Sequence, residues 1–495
     1  MKKNEKISVS AGGRGRKTIA TLLALGLSGS AWAAEWKLGA SVAARETYTD
    51  NVTLSAASVA KSDWITELTP TFTAKKDGAR LKVNASYSNQ NLFYANDSRR
   101  NQTYHQLNAR ANAELFENEI FLDTTASISQ ASISPLGSSG ADNTSATSNV
   151  TSVRATTVSP YWIHRFGSTA TLNARYTISD VSNSSGGFSS STNSSTNVSL
   201  ASGSAFGQIL WGLNFSDQTV DYQSRSDVSF STTSASLGYL VSSRLRLTGT
   251  AGTENNSYAS TSGAATGGSF WNVGVSWAPS TRTSLDLGFG HRYYGKSLNM
   301  AFKTRGIYSS WAADYSESVT TSSSQASAII PTAVSGSVPG GTFTGTYNDP
   351  TKIQTNQVFL NKRFGTSFNW KKGKSDFSLS AYRAEQKAME SGQISGTLRN
   401  GAFQNYNLVK QVGFNAGWSF QFTPLISSSV TGAVSRNTYP DLNREDTTSS
   451  LQVGLNRKFS PKLTGGVSLR RQARDSNQDA DYTENALSGS VTYTF

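Results

Sequence analysis

Across its 495 residues the chain holds 45 Lys and Arg against 32 Asp and Glu, net +13. Six of those cations and Glu5 fall within residues 1–33; taking them away leaves 39 against 31, or +8, and removes the main support for a nucleic-acid partner. A hydrophobic content of 36% with no later apolar run of spanning length excludes helical membrane spans, an aromatic content of 11% argues against a solvated coil, and the absence of cysteine excludes disulfides and thiol chemistry.

Residues 1–33 read as a secretory signal peptide. Lys2, Lys3, Lys6, Arg14, Arg16 and Lys17 form a basic start, Thr18 to Gly29 is a short apolar stretch, and Ala31-Trp32-Ala33 gives the small-x-small cleavage pattern. Maturation near Ala34 leaves residues 34–495, with no Cys there to carry a lipid anchor.

From Trp36 onward, strand-like runs of about ten residues recur with alternating polarity. Lys76-Asp77-Gly78 signals a tight hairpin turn. In the next run Leu81, Val83 and Ala85 alternate with Arg80, Lys82 and Asn84; further on, Leu107, Ala109 and Ala111 alternate with Asn108, Arg110 and Asn112. Short turns such as Phe166-Gly167-Ser168 and Thr423-Pro424 alternate with long Ser/Thr/Asn/Gly stretches. The latter are Ser134–Ser148, Val181–Thr196, Asp221–Asp227, Glu254–Gly268, Thr320–Tyr347, Met389–Gln404, Asn437–Thr447 and Arg474–Asn485. That rhythm predicts an all-β fold: one closed up-and-down antiparallel transmembrane barrel of about 22 strands, or roughly 16–20 if weak runs such as Val198–Gly203 and Leu298–Lys303 do not pair. Short turns would face the periplasm and long loops the exterior.

Aromatics fall beside both sets of turns, as interfacial girdles require. Trp36, Phe166, Trp277, Trp311 and Phe459 lie at one edge; Tyr48, Trp64, Phe93, Tyr94, Tyr104, Phe270 and Trp271 lie at the other. The chain closes on ALSGSVTYTF, whose Val491, Tyr493 and Phe495 share one face. That ending resembles the C-terminal insertion signal of bacterial outer-membrane proteins, so the barrel-assembly machinery is an expected partner.

No catalytic, cofactor-binding or metal-ligating constellation emerges. His105, His164 and His291 sit in separate hairpins without ligand spacing. Asp217, Asp221 and Asp227, and Asp441 with Glu445 and Asp446, read as solvated loop carboxylates before they read as a calcium site. The informative charges are those pointing away from the apolar face: Arg80, Lys82, Arg110, Arg154, Arg175, Arg244, Arg246, Arg292 and Arg470, with few carboxylates (Glu114, Asp123, Asp286) beside them. Such a lumen attracts anionic solutes unless loops or a plug neutralise it. Arg383 and Arg471 fall on the outward face near the external rim, where they could meet lipopolysaccharide phosphates unless a bulge turns them inward.

Three stretches, Arg45–Ser55, Trp64–Thr73 and above all Trp277–Ser318, resemble the PEP-CTERM system-associated outer-membrane protein family. The resemblance implies a large outer-membrane barrel linked to exopolysaccharide production and export, with periplasmic polysaccharide-export components as partners. It implies no catalytic residues. The function expected is therefore a non-enzymatic outer-membrane channel assisting export of a secreted polysaccharide. The alternatives are a general porin-like diffusion channel and a plugged, non-conducting surface or assembly barrel.

Overall fold

The computed structural model of the protein describes residues 35–184, 189–261, 263, 265–328, 337–338, 341–342, 357–390 and 407–495. The expected signal peptide, most of Met389–Gln404 and the centre of Thr320–Tyr347 lie outside the described residues.

Twenty-two strands form one antiparallel sheet that closes on itself. In chain order they are β1 (Lys37–Thr49), β2 (Asp63–Asp77), β3 (Leu81–Tyr94), β4 (Gln102–Phe116), β5 (Ile120–Ser132), β6 (Val150–Phe166), β7 (Ala170–Asn183) and β8 (Ser191–Ser202). Next come β9 (Ile209–Tyr222), β10 (Val228–Ser242), β11 (Leu245–Ser257), β12 (Gly268–Ser280), β13 (Thr283–Arg292), β14 (Gly295–Arg305) and β15 (Ser309–Thr320). The circuit ends with β16 (Phe359–Lys372), β17 (Ser375–Ala388), β18 (Leu408–Thr423), β19 (Ile426–Tyr439), β20 (Arg444–Lys458), β21 (Leu463–Ser476) and β22 (Tyr482–Thr494). Each strand pairs with its chain neighbours, and β22 returns to β1 in register from Ser41 opposite Thr494 to Thr49 opposite Ala486. One seven-residue helix, α1 (Ser322–Ala328), follows β15.

The short-turn ends are built from compact turn chemistry. Gly167 (φ +55°), Gly373 (φ +59°) and Asn118 (φ +59°) adopt left-handed conformations that Gly and Asn tolerate best. Between the ends, period-two alternation sets the two faces. Leu237 and Leu469 stand 67% and 60% exposed on the outside, a band that only lipid solvates without cost. A closed barrel with such a band is a membrane-spanning fold, because every interior strand group is paired within the ring.

The weak runs do pair, within β8 and β14. Several expected loops are strand instead. β7 and β8 take up most of Val181–Thr196, and β19 and β20 leave only a short 3-10 turn, Pro440–Leu442, within Asn437–Thr447. Ser and Thr there extend the ladder, since hydroxyl residues suit a strand wetted on its faces.

The buried core lies at one end. All four clusters of buried apolar residues sit at the long-loop mouth: Val52, Ile65, Leu92 and Tyr94; Val153, Ala155 and Val181; Val220, Tyr222, Val228 and Val358; Phe359, Ala388, Val409 and Tyr439. Tyr94, Tyr104 and Phe270 consequently leave the expected girdle and face inward, Tyr94 at 4% exposure. Trp36, Trp64, Trp271, Trp277, Trp311 and Phe459 are exposed on the outside.

Val491, Tyr493 and Phe495 are exposed on the outer face at the seam, where the Phe495 amide donates to the Ala40 carbonyl (3.0 Å) and the rings of Tyr493 and Phe495 meet edge-on. Removing Tyr493 and Phe495 together should sharply lower the fraction reaching the heat-resistant, compact gel band, whereas deleting one residue from a long loop should not. Normal amounts of that band without both aromatics would contradict their role in closure.

Candidate functional site: the barrel lumen and its in-folded loops

The loop of residues 133–149, between β5 and β6, turns into the barrel rather than out of it. It is closed at its base by Asn149, whose side chain accepts from the Ser134 amide and donates to the Ser134 carbonyl, each at 2.8 Å. It then lies against an arc of wall running from β5 back through β1 to β19. Tyr94 of β3 donates to the Thr144 carbonyl (3.0 Å), Tyr482 of β22 to the Ser139 carbonyl (3.2 Å) and Tyr439 of β19 to the Pro135 carbonyl (3.1 Å). Arg444 of β20 reaches the Leu136 carbonyl (2.9 Å), and the Ala146 amide donates to the Val52 carbonyl (2.8 Å).

Asp142 is the electrostatic centre of this loop. It pairs with Arg470 of β21 (2.7 Å) and Arg45 of β1 (3.3 Å); Arg470 also holds Glu484 of β22 (2.9 Å), and Arg45 also pairs with Glu67 of β2. Thr49 donates to the same Glu484 (2.8 Å). Burial raises the Asp142 pKa, but Arg470, Arg45 and the Thr144 hydrogen bonds outweigh that and hold the carboxyl well below the usual carboxylate range. The Asp142 contribution to stability is therefore fully present above the ordinary carboxylate range and is lost only as pH falls through the depressed value.

A second group of segments covers the other side of the mouth. Helix α1 crosses from the end of β15 to the wall at β6–β9. Asn193 there donates to the Ser323 hydroxyl and Gln218 to the Ser324 hydroxyl, both at 2.9 Å, while Ala326 packs on Val153, Ala155 and Val181. Arg225, after β9, pairs with Glu390, after β17; Glu390 in turn accepts from the Val358 amide (3.1 Å) and bridges to Ser260.

The short-turn half of the lumen is polar. Across β1–β4, Lys37, Lys75, Asn84 and Arg110 stand directly opposite one another in register. At about 4.8 Å per strand, that row spans roughly 14 Å. Lys82 lies next to it, opposite Asp77 and Asn112. All four cations are exposed to the aqueous interior.

The nine basic residues expected in the lumen divide accordingly. Lys82 and Arg110 join the exposed row. Arg175 is held by Asp123 (3.0 Å) and stacks over Tyr161, Arg292 pairs with Glu254, and Arg470 is consumed by Asp142 and Glu484. Arg246 reaches Ser276 (3.1 Å). Arg80 and Arg244 sit in exposed short turns, Arg80 beside Glu117 (3.3 Å), rather than on strand walls. Arg154 is on the outer face: it is exposed and alternates with the inward, buried Val153 and Ala155. The carboxylates that neutralise the lumen (Glu67, Asp142, Glu254, Glu484) escape a strand-by-strand count, since their partners lie on other strands and Asp142 itself lies in a loop. Lys37 and Lys75 were within reach, sharing a face with Ser41 and Arg45, and with Thr71 and Thr73.

His105, His164 and His291 all take outward parity: His105 opposite Asn89, His291 opposite exposed Trp271, and His164 between exposed Trp162 and Phe166. Asp446 pairs with Arg444 (3.0 Å) and Glu445 with Arg436 (3.3 Å), and no cluster of three or more metal-ligating side chains occurs among the described residues.

Replacing Arg470 by Met keeps its volume but leaves Asp142 and Glu484 buried without their shared cation, a cost of about 3–5 kcal/mol. Because the chain has no cysteine, a thiol introduced at Ala141 reports loop release directly. Its labelling should be slow in the otherwise native protein and much faster with Arg470→Met. Equal rates would show that this ion-pair cluster does not hold the loop.

No family model and no curated protein matches the chain. Among solved structures it is similar to the FrpB iron transporter from Neisseria meningitidis, at 10% identity and a TM-score of 0.50, covering 96% of this chain and 83% of that one. Further similarities are to OccK5 (OpdH) of Pseudomonas aeruginosa, at 10% identity and TM-score 0.35 over 93% and 98% of the two chains, and to the siderophore receptor PirA of the same organism, at 11% and 0.40 over 93% and 80%. At these identities the likeness is one of fold, and the fold is that of the large outer-membrane β-barrels.

Proposed function

We propose that the protein is a porin-like outer-membrane channel for small polar solutes, with a preference for anions set at its short-turn mouth and its width set at the opposite mouth by in-folded loops. The observation that carries this reading is the division of the lumen. One half is open, polar and lined by the exposed row of Lys37, Lys75 and Arg110 with Lys82 beside it. The other is narrowed by a loop tied to β1, β3 and β19–β22. A 22-strand ring encloses more space than its own side chains fill, so a wall-bound loop leaves passage for small solutes.

Polysaccharide export, implied by the family resemblance, is the second reading. The lining hydroxyls and amides favour it: Ser195, Asn197, Ser199, Asn214 and Ser216 share the inward face of β8 and β9 and suit sugar hydroxyls. A polymer, however, needs the loop of residues 133–149 withdrawn. Loss of surface polysaccharide on gene deletion, with small-solute uptake unchanged, would favour export over diffusion.

The direct test is ion selectivity in planar bilayers. The native channel should pass anions in preference to cations, weakly, and the preference should fade as salt rises, because exposed charges are screened over about 8 Å at physiological ionic strength. Lys75→Glu, Lys82→Glu and Arg110→Glu together should shift the reversal potential toward cations. An open channel indifferent to all three changes would overturn the anion reading.

A further inference from the structure

The outer face of the barrel carries its cations unevenly. Near the long-loop ends of β16–β19, Lys362, Arg383, Lys387, Lys410 and Arg436 all take outward parity. Arg383 stands opposite Phe364 and Val412, and Arg436 opposite Val412, with Val412 52% exposed on the lipid-facing side. Three carboxylates accompany them: Glu317, 3.6 Å from Lys362; Glu385, in register between Lys362 and Lys410; and Glu445, 3.3 Å from Arg436. Arg383, Lys387 and Lys410 are exposed. The far arc is the opposite in charge. On β7–β9 the outward face near the same mouth bears Asp180, Asp217 and Asp221, and the one cation of those strands, Arg175, points into the lumen.

Cations on an outward strand face at the edge of an apolar band are costly unless an anion meets them there. Immediately below this patch the band is apolar, with Phe414 and Val434 exposed; at its upper edge Leu360 and Leu408 stand level with Lys387 on the same outer face. The patch therefore sits where headgroups meet acyl chains. An arginine flanked by two lysines there offers a planar fork and two point charges, the donor set that suits phosphate.

We propose that the outward face of β16–β19 binds the phosphates of a phosphorylated outer-leaflet glycolipid, lipopolysaccharide, through Arg383, Lys387 and Lys410, with Lys362 and Arg436 flanking. This fixes one preferred lipid-facing side of the barrel. It depends on the long-loop mouth facing outward and is independent of what passes through the lumen.

Native mass spectrometry of the purified barrel, stripped of lipid and divalent cations and then titrated, tests this. Deep-rough lipopolysaccharide should bind the unaltered protein about a hundredfold more tightly than the same lipid enzymatically dephosphorylated, the product of three cations each contributing about fivefold. Phosphatidylglycerol, an inner-leaflet-type anion, should bind more weakly than the glycolipid. Arg383→Gln, Lys387→Gln and Lys410→Gln together should lower glycolipid affinity by about fivefold for each charge removed. Arg154→Gln with Lys296→Gln, outward cations elsewhere on the rim, should leave it unchanged. Phosphate-independent binding, equal affinity for phosphatidylglycerol, or equal loss in both variant sets would each overturn the proposal. If the triple variant does not assemble, the dephosphorylation comparison on the unaltered protein decides.

Discussion

Closure of the ring is the constraint on which everything else depends. In hydrocarbon each unpaired backbone amide or carbonyl costs several kcal/mol, so an open sheet edge is not tolerated. The protein meets this by bringing β22 back to β1 along the whole run from Ser41 to Thr49. Side chains reinforce the join at the long-loop end, where Thr47 meets Ser488 (2.8 Å) and Asn51 donates to the Thr483 carbonyl (3.1 Å). The same stretch of seam carries the ionic cluster, since Arg45, Thr49 and Glu484 all belong to β1 or β22. Barrel closure and loop docking are thus physically adjacent.

Closing 22 strands leaves an interior too wide for the walls to fill, and the described residues that fill it lie at one mouth. There the usual polarity of barrel faces reverses. Ile65, Leu92, Tyr94, Val153, Val181 and Phe359 are apolar and inward because loops cover them. At the same mouth Glu317, Lys362, Arg383 and Lys410 are charged and outward, at the level where the band meets headgroups. In the short-turn half the ordinary pattern returns, with Leu81, Val83 and Ala85 outward and Lys82 and Asn84 inward. One end is a docking surface and the other a wetted vestibule, and the two demand opposite codes.

This reversal explains what the sequence disclosed. Strand count, seam and the faces of β3, β4 and β22 were legible because period-two polarity holds over the membrane-spanning stretch. The inward turn of residues 133–149 was not, because Ser, Gly and Asn compose an exposed loop and a docked one alike. Arg154 was misplaced for the related reason that Val153 and Ala155 look lipid-facing until α1 is known to cover them. Tyr94 and Phe270 resembled girdle residues, as any aromatic near a strand end does. The neutralisation of Arg470 was hidden by distance along the chain, since Asp142 lies in the loop between β5 and β6 and reaches β21 only through the fold.

A lumen that conducts and is narrowed by a tied loop shows itself in single-channel current. Planar-bilayer recordings should compare the intact protein with a variant in which residues 134–148 are replaced by a short Gly-Ser turn, both checked for the compact heat-resistant form. The intact barrel should give small, stable conductance steps and the shortened one a severalfold larger step. Equal conductance in the two, or no conductance in either, would contradict a conducting, loop-narrowed lumen.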